Sequence, residues 1–202
     1  MLQINDTSAH SYDVGELLAA EYSYIAGTAF QANEDRARVS QFFFITFGTF
    51  IAALFSSQLS NIDPVQLYLA FVFIFLGLAI LGMLTILQLA RLRIAWLHSV
   101  RAMNQIKKGA VKRYPYLEDY FKWTWKNPPK MFKHNSIGFY LATSVSILSG
   151  LATGAAAAFG SLAMGFQGVL WIPSIMVGVL VAIVQLLFLY QRPLLQADAE
   201  AK

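Results

Sequence analysis

The spacing of its charges is the feature that most constrains how this chain can fold. Uncharged intervals of 24 residues and 27 residues separate Arg38 from Asp63 and Asp63 from Arg91. A third interval, residues 135–191, runs for 57 residues without Asp, Glu, Lys or Arg. A helix needs about 20 apolar residues to cross a bilayer. The first two intervals therefore each hold one span, and the third holds two.

These intervals predict an all-α, polytopic membrane protein whose four transmembrane helices form two hairpins. The predicted spans are residues 41–59, 65–89, 137–159 and 169–190. The first turn contains Asp63, a good N-cap, and Pro64, which suits the first helical position. The second turn lies in the glycine-rich residues 160–168. Composition agrees, because 57% of the residues are apolar, only 13% are charged and the mean hydropathy is +0.53.

The basic residues predict the orientation of the chain. Residues 90–135 hold eleven of the fifteen Lys and Arg residues, whereas both turns hold none. The positive-inside rule then places this segment and both termini in the cytoplasm, and we expect an integral protein of the plasma (inner) membrane. The predicted organisation is a cytoplasmic amphipathic helix (1–40), a transmembrane hairpin (41–89), a cytoplasmic basic helix with an interfacial segment (90–136), a second hairpin (137–190) and a cytoplasmic tail (191–202).

Small residues recur every four positions on two of the spans. The stripe on the first span is Gly48, Ala52 and Ser56, and the stripe on the third is Ser146, Gly150, Gly154 and Ala158. Residues four apart share a helix face, and small faces let helices pack closely in lipid. The third span has a second small face beside the first. It has more packing surface than one neighbour uses, which favours self-association or docking onto another subunit.

Two helices are predicted to continue beyond the membrane. Asp13 and Glu16 have the spacing of a capping box, and the apolar series after them predicts one helix that enters the first span. Glu34 and Arg38 are spaced to pair at i,i+4. The second span continues to about residue 108 with an apolar stripe. We expect the two extensions to pack together, acids facing bases, within one chain or between two.

Lys and Arg alternate with Tyr, Trp and Phe between residues 112 and 133. Such segments bind nucleic acid in some proteins. Here the next span begins a few residues later, which favours an interfacial segment on the anionic lipids of the cytoplasmic face and no nucleic acid. The predicted membrane-surface residues are Lys112, Arg113, Lys122, Trp123, Trp125, Lys126, Lys130 and Lys133.

The predicted spans contain few residues that could support transport, catalysis or metal binding. None contains Asp, Glu, Lys, Arg or His, which argues against a transport site within the bilayer. The chain has no cysteine and no P-loop, HExxH or GxSxG motif, so no catalytic residue, metal site or cofactor is predicted. Gln185 is the one large polar side chain deep in a span; it either lines a pore or forms a hydrogen bond across helices.

Two functions fit these observations. The first is a non-enzymatic membrane scaffold or accessory subunit that assembles through its small-residue faces, with itself or with other membrane subunits. The second is a homo-oligomeric pore or membrane-disrupting effector whose charge-free spans form a hydrophobic gate. An enzyme that acts on lipids is a weaker third reading, because the sequence supplies no acid–base set.

Overall fold

The computed structural model describes residues 14–56, 62–166 and 171–199, which are mostly helical and contain no strand. The long helices are α1 (Val14–Ser56), α2 (Pro64–Arg113), α3 (Ile137–Ala163) and α4 (Trp171–Val184). A π-helical segment (Gln185–Gln191) joins α4 to α5 (Arg192–Ala199), and a 3₁₀ turn (Pro115–Tyr120) follows α2. When α4, the π-helical segment and α5 are counted as one helix, the described residues contain four helices that are long and apolar enough to span a membrane. The predicted all-α membrane class is confirmed.

Local signals account for several helix ends. The Asp63 carboxylate accepts hydrogen bonds from the N–H groups of Val65 and Gln66, at 2.9 and 3.2 Å, so α2 begins at Pro64 as predicted. The Ser136 hydroxyl accepts from the N–H of Phe139 and caps α3 in the same way. Asp13 of the predicted capping box lies outside the described residues, as do residues 57–61 and 167–170 of the two predicted turns.

Helices that are adjacent in the sequence pack against each other. α2 and α3 are central, with α1 against α2 and α4 against α3. The π-helical segment also contacts α2, whereas α4 itself packs on α3. This arrangement leaves much of α1 and α4 without a neighbour among the described residues. Within the most apolar part of each, 11% of α1 is buried and 17% of α4, against 44% of α3.

The buried apolar residues form two clusters along the helices. The cluster nearer the C-terminal end of α4 includes Phe43, Ile86, Leu89, Val145, Tyr190 and Leu194. The other cluster lies nearer the opposite ends of the helices and comprises Phe75, Leu78, Ala79, Ala152 and Ala156. Both clusters are built mainly from α2 and α3, which is consistent with their central positions.

Residues 14–40 of α1 and 90–113 of α2 continue past the predicted spans and pack together, here named the paired extension. The α2 part is about 36 Å long at 1.5 Å per residue. Ile25 and Ala29 are buried in the α1 part, whereas Leu97 and Val100 of the α2 part belong to the cluster that includes Met131. Both helices therefore run without a break through the predicted spans and the residues beside them.

Among the described residues of one chain, the predicted pairing of acids on α1 with bases on α2 is not found. Among the described residues, Arg38 pairs within α1 with Glu34 at 3.5 Å and with Asp35 at 4.0 Å. The remaining ion pair lies outside both helices. The polar contact between the two extensions joins the hydroxyls of Thr28 and Ser99 at 2.9 Å. The extension is thus held by apolar burial and one hydroxyl pair.

The proline that follows the π-helical segment explains its geometry. Pro193 lacks the N–H that would bond to the carbonyl of Leu189, and its ring crowds that carbonyl. The helix widens just before the proline, and the N–H of Arg192 bonds to the carbonyl of Leu187, five residues back. The wider turn places Gln185 and Tyr190 in the interior of the protein.

Candidate functional site

Gly150 and Gly154 form the closest contact between α3 and α4. A Cβ built on Gly150 would lie 2.4 Å from the carbonyl oxygen of Gly178 and 2.8 Å from the Cβ of Ala182. A Cβ on Gly154 would lie 2.8 Å from the carbonyl oxygen of Ser174. Backbone atoms cannot move aside without displacing the helix, so only glycine fits at these positions. This stripe of α3 is therefore covered by α4 of the same chain.

The second small face of α3 packs on α2. The Ser149 hydroxyl donates to the carbonyl of Ala79 at 3.0 Å. A Cβ on Gly82 of α2 would lie 2.5 Å from the Cβ of Ser149, and Ala152 is buried against the same helix. The first small face of α3 is thus covered by α4, and the second contacts α2 through Ser149. Thr153, Ala157 and Ser161, farther along the second face, are only half-buried.

Gln185 connects three helices. Its Nε2 donates to the Ser149 hydroxyl at 3.0 Å, and that hydroxyl donates in turn to Ala79. The chain of hydrogen bonds thus runs from the π-helical segment through α3 to α2. Among the described residues, Oε1 of Gln185 and the hydroxyl of Ser146 are buried without a hydrogen-bond partner. Of the two roles the sequence left open for Gln185, the geometry within one chain matches the contact across helices.

The stripe on α1 has a different environment. Gly48, Ala52 and Ser56 are all exposed, and no described atom lies within 4 Å of a Cβ built on Gly48. The large apolar residues around them are also exposed, including Phe55 with 89% of its surface accessible. This face therefore has no neighbour among the described residues of the chain. It is built from the same small residues as the α3 faces but makes no comparable contact with another helix among the described residues.

The basic and aromatic segment runs back along the α2 extension. Three side chains of α2 form hydrogen bonds to the backbone of this segment. Arg93 donates to the carbonyl of Met131 at 3.1 Å. Asn104 donates to that of Thr124 at 3.4 Å, and Lys107 donates to that of Trp123 at 3.3 Å. After the 3₁₀ turn the segment is irregular. Its path is fixed by α2.

The predicted membrane-surface residues are consequently spread along the paired extension. Lys112 and Arg113 end α2, about 35 Å from Leu89 at the end of the second predicted span. Lys130, by contrast, lies beside Arg93, only about 6 Å beyond Leu89 along the helix. The lysines Lys122, Lys126, Lys130 and Lys133 are exposed, as is Trp123, whereas Trp125 is half-buried. Lys126 forms an ion pair with Glu118 at 2.5 Å.

Sequence reasoning missed the partners of the glycine stripe. Ser174, Gly178 and Ala182 recur every four residues on α4, the same signal that identified the stripe on α3. Their spacing would have shown that α4 also has a small face. It would have indicated that the two stripes are complementary.

Comparison of the chain with protein-family models, curated proteins and solved structures found no match. The class of the protein follows from its helices. Because four helices among the described residues are long and apolar enough to span a membrane, it is an integral membrane protein.

Proposed function

We propose that the protein is a non-enzymatic membrane scaffold or accessory subunit that assembles through α1. Its helices would cross the plasma (inner) membrane as two hairpins, with both termini in the cytoplasm. The observation that carries this proposal is the exposed stripe Gly48, Ala52 and Ser56, which has no neighbour among the described residues. The absence of ionisable residues from all four spans supports a role without chemistry inside the bilayer.

The stripe supports assembly because of how helices associate in lipid. Lipid chains are as apolar as the helix surface, so close backbone approach and packing carry the association. The α3 faces make such contacts within this chain, and Gly150 approaches the backbone of Gly178 directly. A face of the same composition on α1 would accept a helix from a second copy or from another membrane subunit.

The paired extension supports a second contact in the aqueous phase. Lys112 and Arg113 lie at its far end, beyond the headgroup layer, which is about 5–8 Å thick on each side of a bilayer. These two residues therefore suit a protein partner better than a lipid surface. Lys130 and Lys133 lie close to the end of the second span and suit the anionic lipid surface that the sequence predicted for the whole segment.

The alternative is a homo-oligomeric pore or membrane-disrupting effector. Gln185 was one of the features that suited a pore, and that side chain bonds to Ser149 inside the chain. A pore would therefore have to be lined by apolar or small residues contributed by several copies. This makes the pore the less favoured function.

The test is the native mass of the full chain extracted gently from membranes that also contain its natural partners. We expect a complex larger than the 22.5 kDa chain for the wild type, and its loss in Gly48→Leu. Gly77→Leu is the matched control, because Gly77 is also an exposed helical glycine with no described atom near a Cβ but is flanked by large residues. Equal masses for both variants would refute assembly through α1.

The composition of the complex separates the two functions. Other polypeptides in the complex would support an accessory subunit. A complex of this chain alone that conducts ions in a planar bilayer, with conductance lost in Gly48→Leu, would favour the pore.

A further inference from the structure

Residues from all four long helices meet at the border of the apolar segments. Arg36 precedes the first span, Arg93 follows the second, Gly138 begins the third and Tyr190 ends the fourth. A Cβ built on Gly138 would lie 3.0 Å from the hydroxyl oxygen of Tyr190 and 3.2 Å from Nη1 of Arg36. The hydroxyl and the guanidinium therefore border one narrow space at the first turn of α3, in which even a methyl group at position 138 would be crowded.

The Arg36 guanidinium is only partly satisfied by the protein. Its Nη2 donates to the side-chain oxygen of Asn33, whereas its Nε is buried and has no hydrogen-bond partner among the described residues. The ion pairs between described residues use Arg38 and Lys126, so no carboxylate lies within 4 Å of Arg36. A half-buried charge without a counter-charge is unfavourable unless something else supplies one.

Arg93 adds a second positive charge nearby. It donates to the carbonyls of Lys130 and Met131 and lies 4.3 Å from the ring centre of Trp96, and it is close enough to Arg36 for the two charges to repel. Asp198 offsets part of the Arg93 charge while its carboxylate accepts a hydrogen bond from the N–H of Met131. Arg93 therefore has two backbone acceptors and a carboxylate in its surroundings, whereas the only acceptor found for Arg36 among the described residues is the side chain of Asn33.

The N-terminus of α3 points its positive end at the same space. The first turn of a helix leaves N–H groups without an acceptor inside the helix, and the aligned peptide dipoles make that end positive. Ser136 caps the N–H of Phe139, but the helix offers no acceptor to those of Ile137 and Gly138.

We propose that the groups around this space together bind a phosphate group. Arg36 supplies the charge, the Tyr190 hydroxyl donates a hydrogen bond, and the first N–H groups of α3 complete the donor set. Phosphates of a bilayer lie at this level, just outside the apolar segments, and basic pockets between transmembrane helices bind anionic headgroups. Free inorganic phosphate offers the same chemistry, so the source of the group is decided by experiment.

The first arm uses the full chain in nanodiscs of phosphatidylcholine and phosphatidylglycerol, with retained lipid counted by native mass spectrometry. We expect bound phosphatidylglycerol on the wild type and about tenfold weaker retention by Arg36→Gln, the loss of one charge-assisted contact. Arg38→Gln is the matched control, because Arg38 lies two residues away and 74% of its side chain is exposed. It should retain lipid as the wild type does.

The second arm titrates inorganic phosphate into nanodiscs of phosphatidylcholine alone. Binding there that Arg36→Gln abolishes would identify free phosphate as the ligand, and lipid retention without it would identify the headgroup. Tyr190→Phe, which removes a single oxygen, provides a second variant if Arg36→Gln fails to fold, and it should weaken binding of whichever ligand the wild type takes. The proposal is overturned if neither probe distinguishes the wild type from the variants.

Discussion

Gly150 on α3 and Gly178 on α4 each occupy the space that a side chain on the other would need. A Cβ on Gly178 would lie 2.6 Å from the carbonyl oxygen of Gly150, and the reverse distance is 2.4 Å. Because both obstacles are backbone atoms, neither position can be enlarged without separating the two helices. The position of α4 on α3 therefore depends on these two glycines.

Replacing Gly178 with alanine should destabilise the protein by about 1–3 kcal/mol, the usual cost of overpacking a close contact. The measurement is the unfolding midpoint in mixed micelles titrated with dodecyl sulfate and followed by circular dichroism. Gly77→Ala is the control, since a Cβ there meets no described atom within 4 Å, and its midpoint should not fall. An unchanged midpoint for Gly178→Ala would contradict the observed packing.

Ser149 should matter more for stability than Gln185, although they share one hydrogen bond. Gln185→Leu removes that bond together with a buried, unpaired carbonyl oxygen, so the cost should be about 0.6 kcal/mol or less, typical of a bond between membrane helices. Ser149→Ala leaves the Gln185 amide buried without its acceptor, which costs about 1–3 kcal/mol. Unfolding in mixed micelles measures both changes. The reverse order of stability would refute this account.

Local patterns explain why the helices and several of their ends were predictable. Charge-free intervals, a capping carboxylate at Asp63 and a proline at the first helical position act within a few residues of one another, so the sequence displays them directly. The continuation of α1 and α2 beyond the spans follows from the same kind of helical periodicity.

Tertiary contacts explain what the sequence did not reveal. The stripes on α1 and α3 have the same composition, yet Gly150 is covered by α4 and Gly48 is exposed. Which stripe finds a neighbour depends on the order in which whole helices pack. The positions of Lys112 and Lys133 at opposite ends of the extension likewise depend on hydrogen bonds between residues far apart in the sequence, such as the bond from Arg93 to the carbonyl of Met131.

Arg93 should hold the end of the basic segment against α2. Arg93→Lys keeps the charge but loses the fork of donors that reaches the carbonyls of Met131 and Lys130. We expect trypsin to cut at Lys130 and Lys133 several times faster in this variant, because the backbone there is released. Arg91→Lys is the control, because Arg91 is exposed and lies two residues from Arg93. Equal cleavage rates in the two variants would show that Arg93 does not anchor the segment.

The two ends of the basic segment should differ in their distance from the membrane. The chain has no cysteine, so Lys112→Cys and Lys133→Cys each provide one site for a fluorescent label. In vesicles containing lipids with a quencher on the headgroup, the label at position 133 should be quenched strongly. The label at position 112 should not be, because it lies about 35 Å along α2 from the end of the second predicted span. Equal quenching would mean that the paired extension lies flat on the bilayer, and both ends would then contact lipid as the sequence predicted.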